Sequence, residues 1–366
     1  MIRTEEIQIN VGPQHPATHG VLRLELKLDG EVIVEATPHI GYLHRGIEKI
    51  AENRTYTQII PLTDRLDYTS SMINNWAYVS TVEKLVDIPV PERAEYIRVI
   101  MAELNRIVSH LVTMGVNGMD TGAFTIWFYC IRDRELIWDL FEMVCGARLT
   151  YNFMRFGGVS FDLPEGFAEK TRELCDYLEP RVDEYEDLLL NNYIFLKRNK
   201  EIAILSKEDA IDYATTGPTL RASGINWDLR KNAPYSIYDR FDFEIPIGTT
   251  GDNWDRAKVR LDEIHQSIRI IRQALNSIPA GEIKTPGLPR ILKPEPGEVY
   301  SRIEGPRGEY GVYIVSDGSA KPYRWKFRSP GFSNLSVLPL ILKGLKIPDA
   351  AIVIGGLDPC FGEVDR

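Results

Sequence analysis

Residues 91–111 decide the fold class, and they read PERAEYIRVIMAELNRIVSHL. Pro91 and Glu92 are residue types that favour the first turn of a helix. After them, large apolar side chains recur every three or four residues, at Ile97, Met101, Leu104, Val108 and Leu111. The same spacing predicts helices over 126–144, 164–190 and 254–275. The sequence therefore predicts a helical core over residues 43–278.

Both ends of the chain have the pattern of β-structure. Residues 21–28 alternate apolar and charged side chains, and an apolar run resumes at Val32 after Asp29-Gly30, a pair typical of hairpin turns. A second hairpin region is predicted over 299–315 and 323–327, after a connector with five prolines between 279 and 296, and a last helix over 334–345. We expect one α+β domain, mainly α, over 1–366: an N-terminal β region (1–42), the helical core (43–278) and a C-terminal β/α region (297–366).

Composition excludes several kinds of protein. The 43 basic and 52 acidic residues give a net charge of −9, which argues against nucleic acid as a partner. Nucleotide-binding glycine loops and the HExxH zinc motif are absent from the sequence. The cysteines are scattered, which predicts neither disulfides nor a thiolate metal site and favours a reducing, cytoplasmic setting: Cys130, Cys145, Cys175 and Cys360. No run of 18 apolar residues predicts a membrane span, and no signal region is expected at the start.

Four clusters could carry chemistry. Residues 12–20 (GPQHPATHG) place His15 and His19 in a tight loop, where they either bind a ligand or only hydrogen-bond the backbone. Residues 42–49 and 64–68 read, taken alone, as solvated helix faces. Asp120 precedes Thr121-Gly122 and could be the N-cap of the next helix.

Residues 12–23 resemble the N-terminal signature of the family formed by the D subunit of complex I, which is NADH:quinone oxidoreductase. The resemblance extends over residues 8–366 and includes six further ordered stretches: 41–49, 64–68, 157–159, 220–224, 303–309 and 362–366. It implies a helical bundle like the nickel-iron hydrogenase large subunit, with small sheets at both ends. The RxCxxC motif of those hydrogenases falls on 65–70, where Asp67 and Ser70 replace the cysteines, and DPCxxC falls on 358–363, where Glu363 replaces the second cysteine. One thiol cannot hold the hydrogenase metals, so the resemblance implies no metal site, and Cys360 is an inert remnant.

The resemblance also implies site residues and partners. His19 and Tyr68 match the ligands of a quinone, menaquinone or ubiquinone, which is a substrate here, with no tightly bound cofactor of the chain's own. Asp120 matches the carboxylate partner of that histidine. Arg45 matches an arginine beside the terminal iron-sulfur cluster of the partner B subunit; its alternative role is a surface salt bridge with Glu48 or Glu52. Further implied partners are the C and I subunits and the membrane-embedded H subunit, in a proton-translocating complex on the cytoplasmic side of the cell membrane.

Three other interpretations stay open at this point. The electron donor could be ferredoxin or a deazaflavin instead of NADH. The chain could be a hydrogenase-type enzyme with its own metals, or a structural bridge that does not touch quinone. One departure from the family is Thr150, where many relatives have a titrating histidine near the cluster. Because threonine does not titrate, we expect a cluster potential that depends only weakly on pH, and a lower-potential quinone such as menaquinone.

Overall fold

The computed structural model describes residues 6–366. Near the N-terminus, strands β1, β2 and β3 form an antiparallel sheet in that order: Glu6–Val11, Arg23–Asp29 and Val32–His39. Gly30 has a φ of +63° between β2 and β3, so the predicted hairpin is confirmed. Alternate side chains of β2 (Leu24, Leu26 and Leu28) are buried in an apolar cluster that they share with helices from the C-terminal region.

The middle of the chain is helical, as the apolar spacing predicts. The helices here are α1 to α6: Ile47–Ala51, Tyr56–Thr63, Ser71–Val86, Glu92–Asp120, Phe124–Cys145 and Phe167–Tyr185. They are followed, after a π-helical turn at Glu186–Leu190, by α7 to α11: Tyr193–Asn199, Lys207–Asp212, Gly217–Ala222, Leu229–Asn232 and Asn253–Ser277. Two short strands, β4 (Met154–Arg155) and β5 (Gly158–Val159), lie between α5 and α6. Helix α4 is long and apolar enough to cross a membrane, yet 89% of its apolar window is buried inside the protein.

The C-terminal region confirms the second hairpin but corrects the last helix. Strands β6, β7 and β8 form an antiparallel sheet in that order: Gly297–Gly305, Gly308–Ser316 and Arg324–Arg328. The helix predicted over 334–345 is wrong, because Pro339 lacks the N–H that a continuous helix needs at that point. The chain instead forms short helices, including two beyond residue 345 that the sequence did not predict: α12 Pro330–Leu335, α13 Leu338–Leu342, α14 Ile347–Leu357 and α15 Phe361–Asp365. The fold is α+β and mainly α, as expected; its division into three regions stays a prediction.

Candidate functional site

A cavity of 620 Å³ lies where the loop over residues 12–20, the C-terminal half of α4, the α2–α3 connection and the segment between α14 and α15 meet. His19, Tyr68 and Asp120 all line it, although the sequence separates them widely. Cys360 and Arg307 line it as well. The packing thus brings together three of the residues that the family resemblance singled out.

His19 and Asp120 form a pair at the cavity wall. The Nε2 atom of His19 lies 3.0 Å from Oδ2 of Asp120 and 3.2 Å from the carbonyl oxygen of Ala351. Burial lowers the pKa of His19, but the hydrogen bond and the charge of Asp120 outweigh it, so that the pKa is raised above its ordinary value. With Nε2 turned to these oxygens, Nδ1 can donate a hydrogen bond only in the protonated ring. The raised pKa favours that form.

The structure also shows whether His15 and His19 bond the backbone and whether Asp120 is a helix N-cap. His15 does bond the backbone, since its Nδ1 accepts from the Ala17 N–H at 3.1 Å. His19 also bonds the backbone, at the Ala351 carbonyl oxygen, and in addition it contacts a carboxylate. Asp120 is not the N-cap of α5: it is the last residue of α4, and Ala123 occupies the N-cap position.

Gly355 on α14 allows the pair to pack closely. A Cβ at this position would lie 2.7 Å from Oδ2 of Asp120, 2.8 Å from Oδ1 of Asn117 and 3.2 Å from Cε1 of His19. Asn117 is 2% exposed, and its amide has no hydrogen-bond partner among residues 6–366. A larger residue at 355 would therefore push apart groups that the fold holds in contact.

We expect Gly355→Ala to destabilise the protein by about 1–3 kcal/mol, because overpacking a rigid interior costs that much. It should also lower the pKa of His19, since Asp120 moves away from the ring. Pulse proteolysis in urea measures the first effect, and the pH dependence of function measures the second. Gly297→Ala is the matched control, because a Cβ there meets only the Glu295 carbonyl oxygen, at 4.0 Å. Equal stability of the two variants would contradict the expectation.

Residues 64–68 are not a solvated helix face. They connect α2 to α3, and the side chains of Asp64, Leu66 and Asp67 are completely buried. Tyr68 is 43% exposed. Its ring lies against Gly362, where an added Cβ would be 3.3 Å from two carbons of the ring. The neighbouring Cys360 and burial raise the pKa of the Tyr68 phenol, so that it is protonated at neutral pH. The phenol is therefore a hydrogen-bond donor in the cavity wall.

Of the four positions that the resemblance matches to hydrogenase cysteines, three hold other residues and only Cys360 is a cysteine. Asp67 accepts hydrogen bonds from Ser70, and it forms an ion pair with Arg307 at 2.7 Å. Burial raises the pKa of both the Cys360 thiol and the Glu363 carboxyl well above their ordinary values. A protonated thiol and a protonated carboxyl are poor metal ligands. Within residues 6–366, no group of three His, Cys, Asp or Glu side chains has the arrangement to hold a metal ion.

Arg45 lies outside the cavity wall and bonds the two segments that contribute Tyr68 and Cys360 to it. Its Nη2 donates to the carbonyl oxygens of Arg65 and Gly362, both at 2.8 Å. Glu48 and Glu52 pair with other cations instead: Lys326 and Arg366 for the first, Lys49 and Arg324 for the second. Arg45 is an exposed residue next to the α2–α3 connection. A surface salt bridge of Arg45 with Glu48 or Glu52 is thus not formed.

Arg307 is the site residue that sequence reasoning did not single out. It lies in the two-residue turn between β6 and β7, where Gly305 pairs with Gly308. A signal was present, because a charged residue in a Gly-Pro-Arg-Gly turn is presented at a fixed point of a hairpin. The sequence could not show that the hairpin ends at the cavity.

Comparison with known proteins identifies the family. The sequence profile described as "Respiratory-chain NADH dehydrogenase, 49 Kd subunit" matches residues 120–294 and 287–366. A protein of Desulforamulus reducens, named as the D subunit of NADH-quinone oxidoreductase, is 55% identical over 364 residues, which is 100% of this chain and 99% of that one. Proteins with the same name from Bacillus mycoides and Bacillus cereus are 53% and 54% identical over 365 residues, with full coverage of both chains. The chain therefore belongs to the family of the 49 Kd subunit of respiratory-chain NADH dehydrogenase.

Proposed function

We propose that this chain forms the quinone-reduction site of a complex I-type NADH:quinone oxidoreductase, together with the iron-sulfur B subunit. The observation that carries the proposal is the 620 Å³ cavity, which is lined by two proton-donating side chains, His19 and Tyr68. Quinone head groups have two carbonyl oxygens, and the cavity offers two donors from different segments. The names of the full-length relatives support the same assignment.

The chain's own residues supply protons and orientation. Reduction of a quinone to a quinol takes two electrons and two protons, and the iron-sulfur cluster of the partner subunit would supply the electrons. Negative charge develops on the quinone oxygens, and donors already in place stabilise it without reorganising. The protonated His19 gives up the Nδ1 proton, and Tyr68 gives up the phenolic proton. Both are then reprotonated from solvent.

Asp120 controls the orientation and the protonation of His19. Its carboxylate lies on Nε2, which fixes the orientation of the ring and stabilises the imidazolium form. Once His19 has given up its proton, the negative charge of Asp120 is no longer compensated. A shift of Asp120 on α4 is then the first step of coupling to the proton-translocating arm.

The remaining assignments follow the family. Arg45 places a fixed positive charge at the face that the iron-sulfur B subunit covers, which favours the reduced cluster and raises its potential. The C and I subunits and the membrane-embedded H subunit complete the surroundings, and the chain is held peripherally on the cytoplasmic side of the cell membrane. The substrate is menaquinone or ubiquinone, and Thr150 favours menaquinone and a cluster potential with weak pH dependence.

The His19–Asp120 pair predicts how quinone reduction depends on pH. His19 has a pKa raised above 6.5, so its donor form is present below that value and is lost as pH rises through the raised pKa. In Asp120→Asn the raising charge is gone and burial lowers the pKa, so the fall in kcat should move toward lower pH. At pH 8, each pH unit by which this fall moves should lower kcat about tenfold. The measurement is kcat for quinone reduction by the purified complex between pH 5.5 and 9.

The control for this experiment is Glu25→Gln. Glu25 and His39 form another histidine–carboxylate pair, with a 3.0 Å contact, on the N-terminal sheet and outside the cavity. Loss of the Glu25 carboxylate should leave the pH dependence of kcat unchanged. A profile that is the same in Asp120→Asn and wild type would show that His19 is not the group that titrates, and would argue against its role as a donor.

A further inference from the structure

Arg307 is the most completely bonded cation at the cavity. Its Nη1 donates to Oδ2 of Asp67 at 2.7 Å and to the hydroxyls of Thr69 and Ser109 at 2.8 and 3.1 Å. Its Nη2 donates to Oδ1 of Asp358 at 2.9 Å, and its Nε donates to the carbonyl oxygen of the same residue at 2.8 Å. The guanidinium thereby joins the two segments, around 67 and 358, that match the hydrogenase motifs.

The backbone that carries Arg307 is held rigidly. Gly217 and Gly308 pack so closely that a Cβ on Gly217 would lie 2.4 Å from the Arg307 carbonyl oxygen, and one on Gly308 would lie 2.5 Å from Thr216. The Asn334 amide donates to the same carbonyl oxygen at 3.1 Å. The side chain is 4% exposed. A buried cation on a fixed turn is preorganised and costs no rearrangement when charge appears beside it.

One donor of the guanidinium is left over. Arginine has five N–H bonds. Nε uses one, Nη1 uses two, and Nη2 uses one toward Asp358. The second N–H of Nη2 has no acceptor among residues 6–366, and the side chain lines the cavity together with Tyr68 and His19. A cation that only joins two segments of the chain need not face a cavity, whereas a cation that binds a ligand must face one.

We propose that Arg307 is a catalytic cation of the site, which donates its remaining N–H to a quinone oxygen and stabilises the negative charge of the reduced head group. This inference rests on the proposed function. Two electrons from the partner's cluster enter the quinone, the Tyr68 O–H and the His19 Nδ1–H bonds break, and two O–H bonds form on the quinol. Arg307 transfers no proton. It offsets charge on the head group before the protons arrive, and on the Tyr68 phenolate afterwards.

The first test is the rate of quinone reduction by the purified complex. Arg307→Met should lower kcat by about 10²–10³-fold, as loss of one preorganised oxyanion donor does. Arg307→Lys keeps the charge but loses the planar fork, and should lower kcat by about tenfold. Because Arg307→Met leaves Asp67 buried without its partner, the double variant Arg307→Met/Asp67→Asn restores neutrality, and Asp358 still has Arg260 at 4.0 Å. The double variant should assemble and still show the large loss.

The second test separates a catalytic from a structural role through binding. The probes are 2-hydroxy-1,4-naphthoquinone, an anion at neutral pH, and 2-methyl-1,4-naphthoquinone, which is neutral and of similar shape. The wild-type complex should bind the anion at least tenfold more tightly than the neutral analogue. Arg307→Met/Asp67→Asn should lose about tenfold or more of affinity for the anion and much less for the neutral analogue. Equal affinity of the wild type for the two probes overturns the inference, even if no variant assembles.

Two comparisons keep the outcomes distinct. Arg302→Met removes a cation from β6 whose partner is Glu309 and whose side chain is 41% exposed, so it should keep the wild-type rate. Tyr68→Phe tests the proposed function itself. A slow Tyr68→Phe with a fast Arg307→Met/Asp67→Asn overturns this inference and leaves the proposed function standing. Wild-type rates in both variants overturn the proposed function as well.

Discussion

Replacing Tyr68 by Phe should lower kcat for quinone reduction by about 10²–10⁴-fold, the range expected when a positioned proton donor is removed. The change keeps the ring that packs on Gly362 and removes only the hydroxyl. Cys360 and burial raise the pKa of the phenol above its ordinary value, so the hydroxyl remains protonated at neutral pH and is available as a donor. The measurement is NADH-driven quinone reduction by the purified complex.

Two controls isolate the effect of that hydroxyl. NADH oxidation with a water-soluble electron acceptor should keep its wild-type rate, since electrons leave before they reach the site. Tyr323→Phe changes a tyrosine that is 70% exposed between β7 and β8, and it should not alter quinone reduction. Unchanged quinone reduction in an intact Tyr68→Phe complex would favour a chain that only bridges the iron-sulfur protein to the membrane arm.

Asp64→Asn should remove a pH-dependent loss of stability. Asp64 is completely buried, neither carboxylate oxygen has a hydrogen-bond partner among residues 6–366, and its nearest cation atom, Arg65 Nη1, is 3.9 Å away. Burial raises the pKa of Asp64 from 3.8 to about 7. The folded protein therefore binds a proton that the unfolded chain has released. This contribution to stability is full below pH 3.8 and is lost as pH rises to about 7.

The size of the effect follows from the same shift. Between pH 5 and pH 8 wild type should lose about 3 kcal/mol of stability that Asp64→Asn does not lose, because about two pKa units are worth that much. Pulse proteolysis of this chain in the purified complex, in urea at both pH values, measures the difference. Asp212→Asn, at the exposed end of α8, is the control and should behave like wild type. The same pH dependence in Asp64→Asn and wild type would show that Asp64 is ionised at little cost.

The sequence predicted the secondary structure where the signal was local. Apolar spacing gave α4, α5, α6 and α11, and the Asp29-Gly30 turn gave the β2–β3 hairpin, because helix periodicity and turn geometry depend on residues only a few positions apart. At residues 334–345 the prediction of a helix from apolar spacing was wrong. The apolar pattern continues through them, but Pro339 interrupts the backbone hydrogen bonds, and the chain divides into α12 and α13.

The candidate site was predicted through resemblance and not through periodicity. His19, Tyr68 and Asp120 were named because they match functional positions of a family, and each residue taken alone had an ordinary structural explanation. Residues 64–68 show the difference. Their charged residues suggest a solvated surface, yet Asp64 and Asp67 are completely buried. Burial of a charged side chain depends on which segment packs over it, and a local pattern carries no information about that.

By itself, the sequence determined the mainly helical class and the hairpins, since these depend on residue type and short spacing. Only the tertiary structure decided that His19 would meet Asp120, that Gly355 would leave room for their contact, and that Arg307 would reach the cavity from the turn of a distant hairpin. Contacts between segments far apart in the chain form only when the core closes, because close packing, and not local spacing, selects which side chains become neighbours.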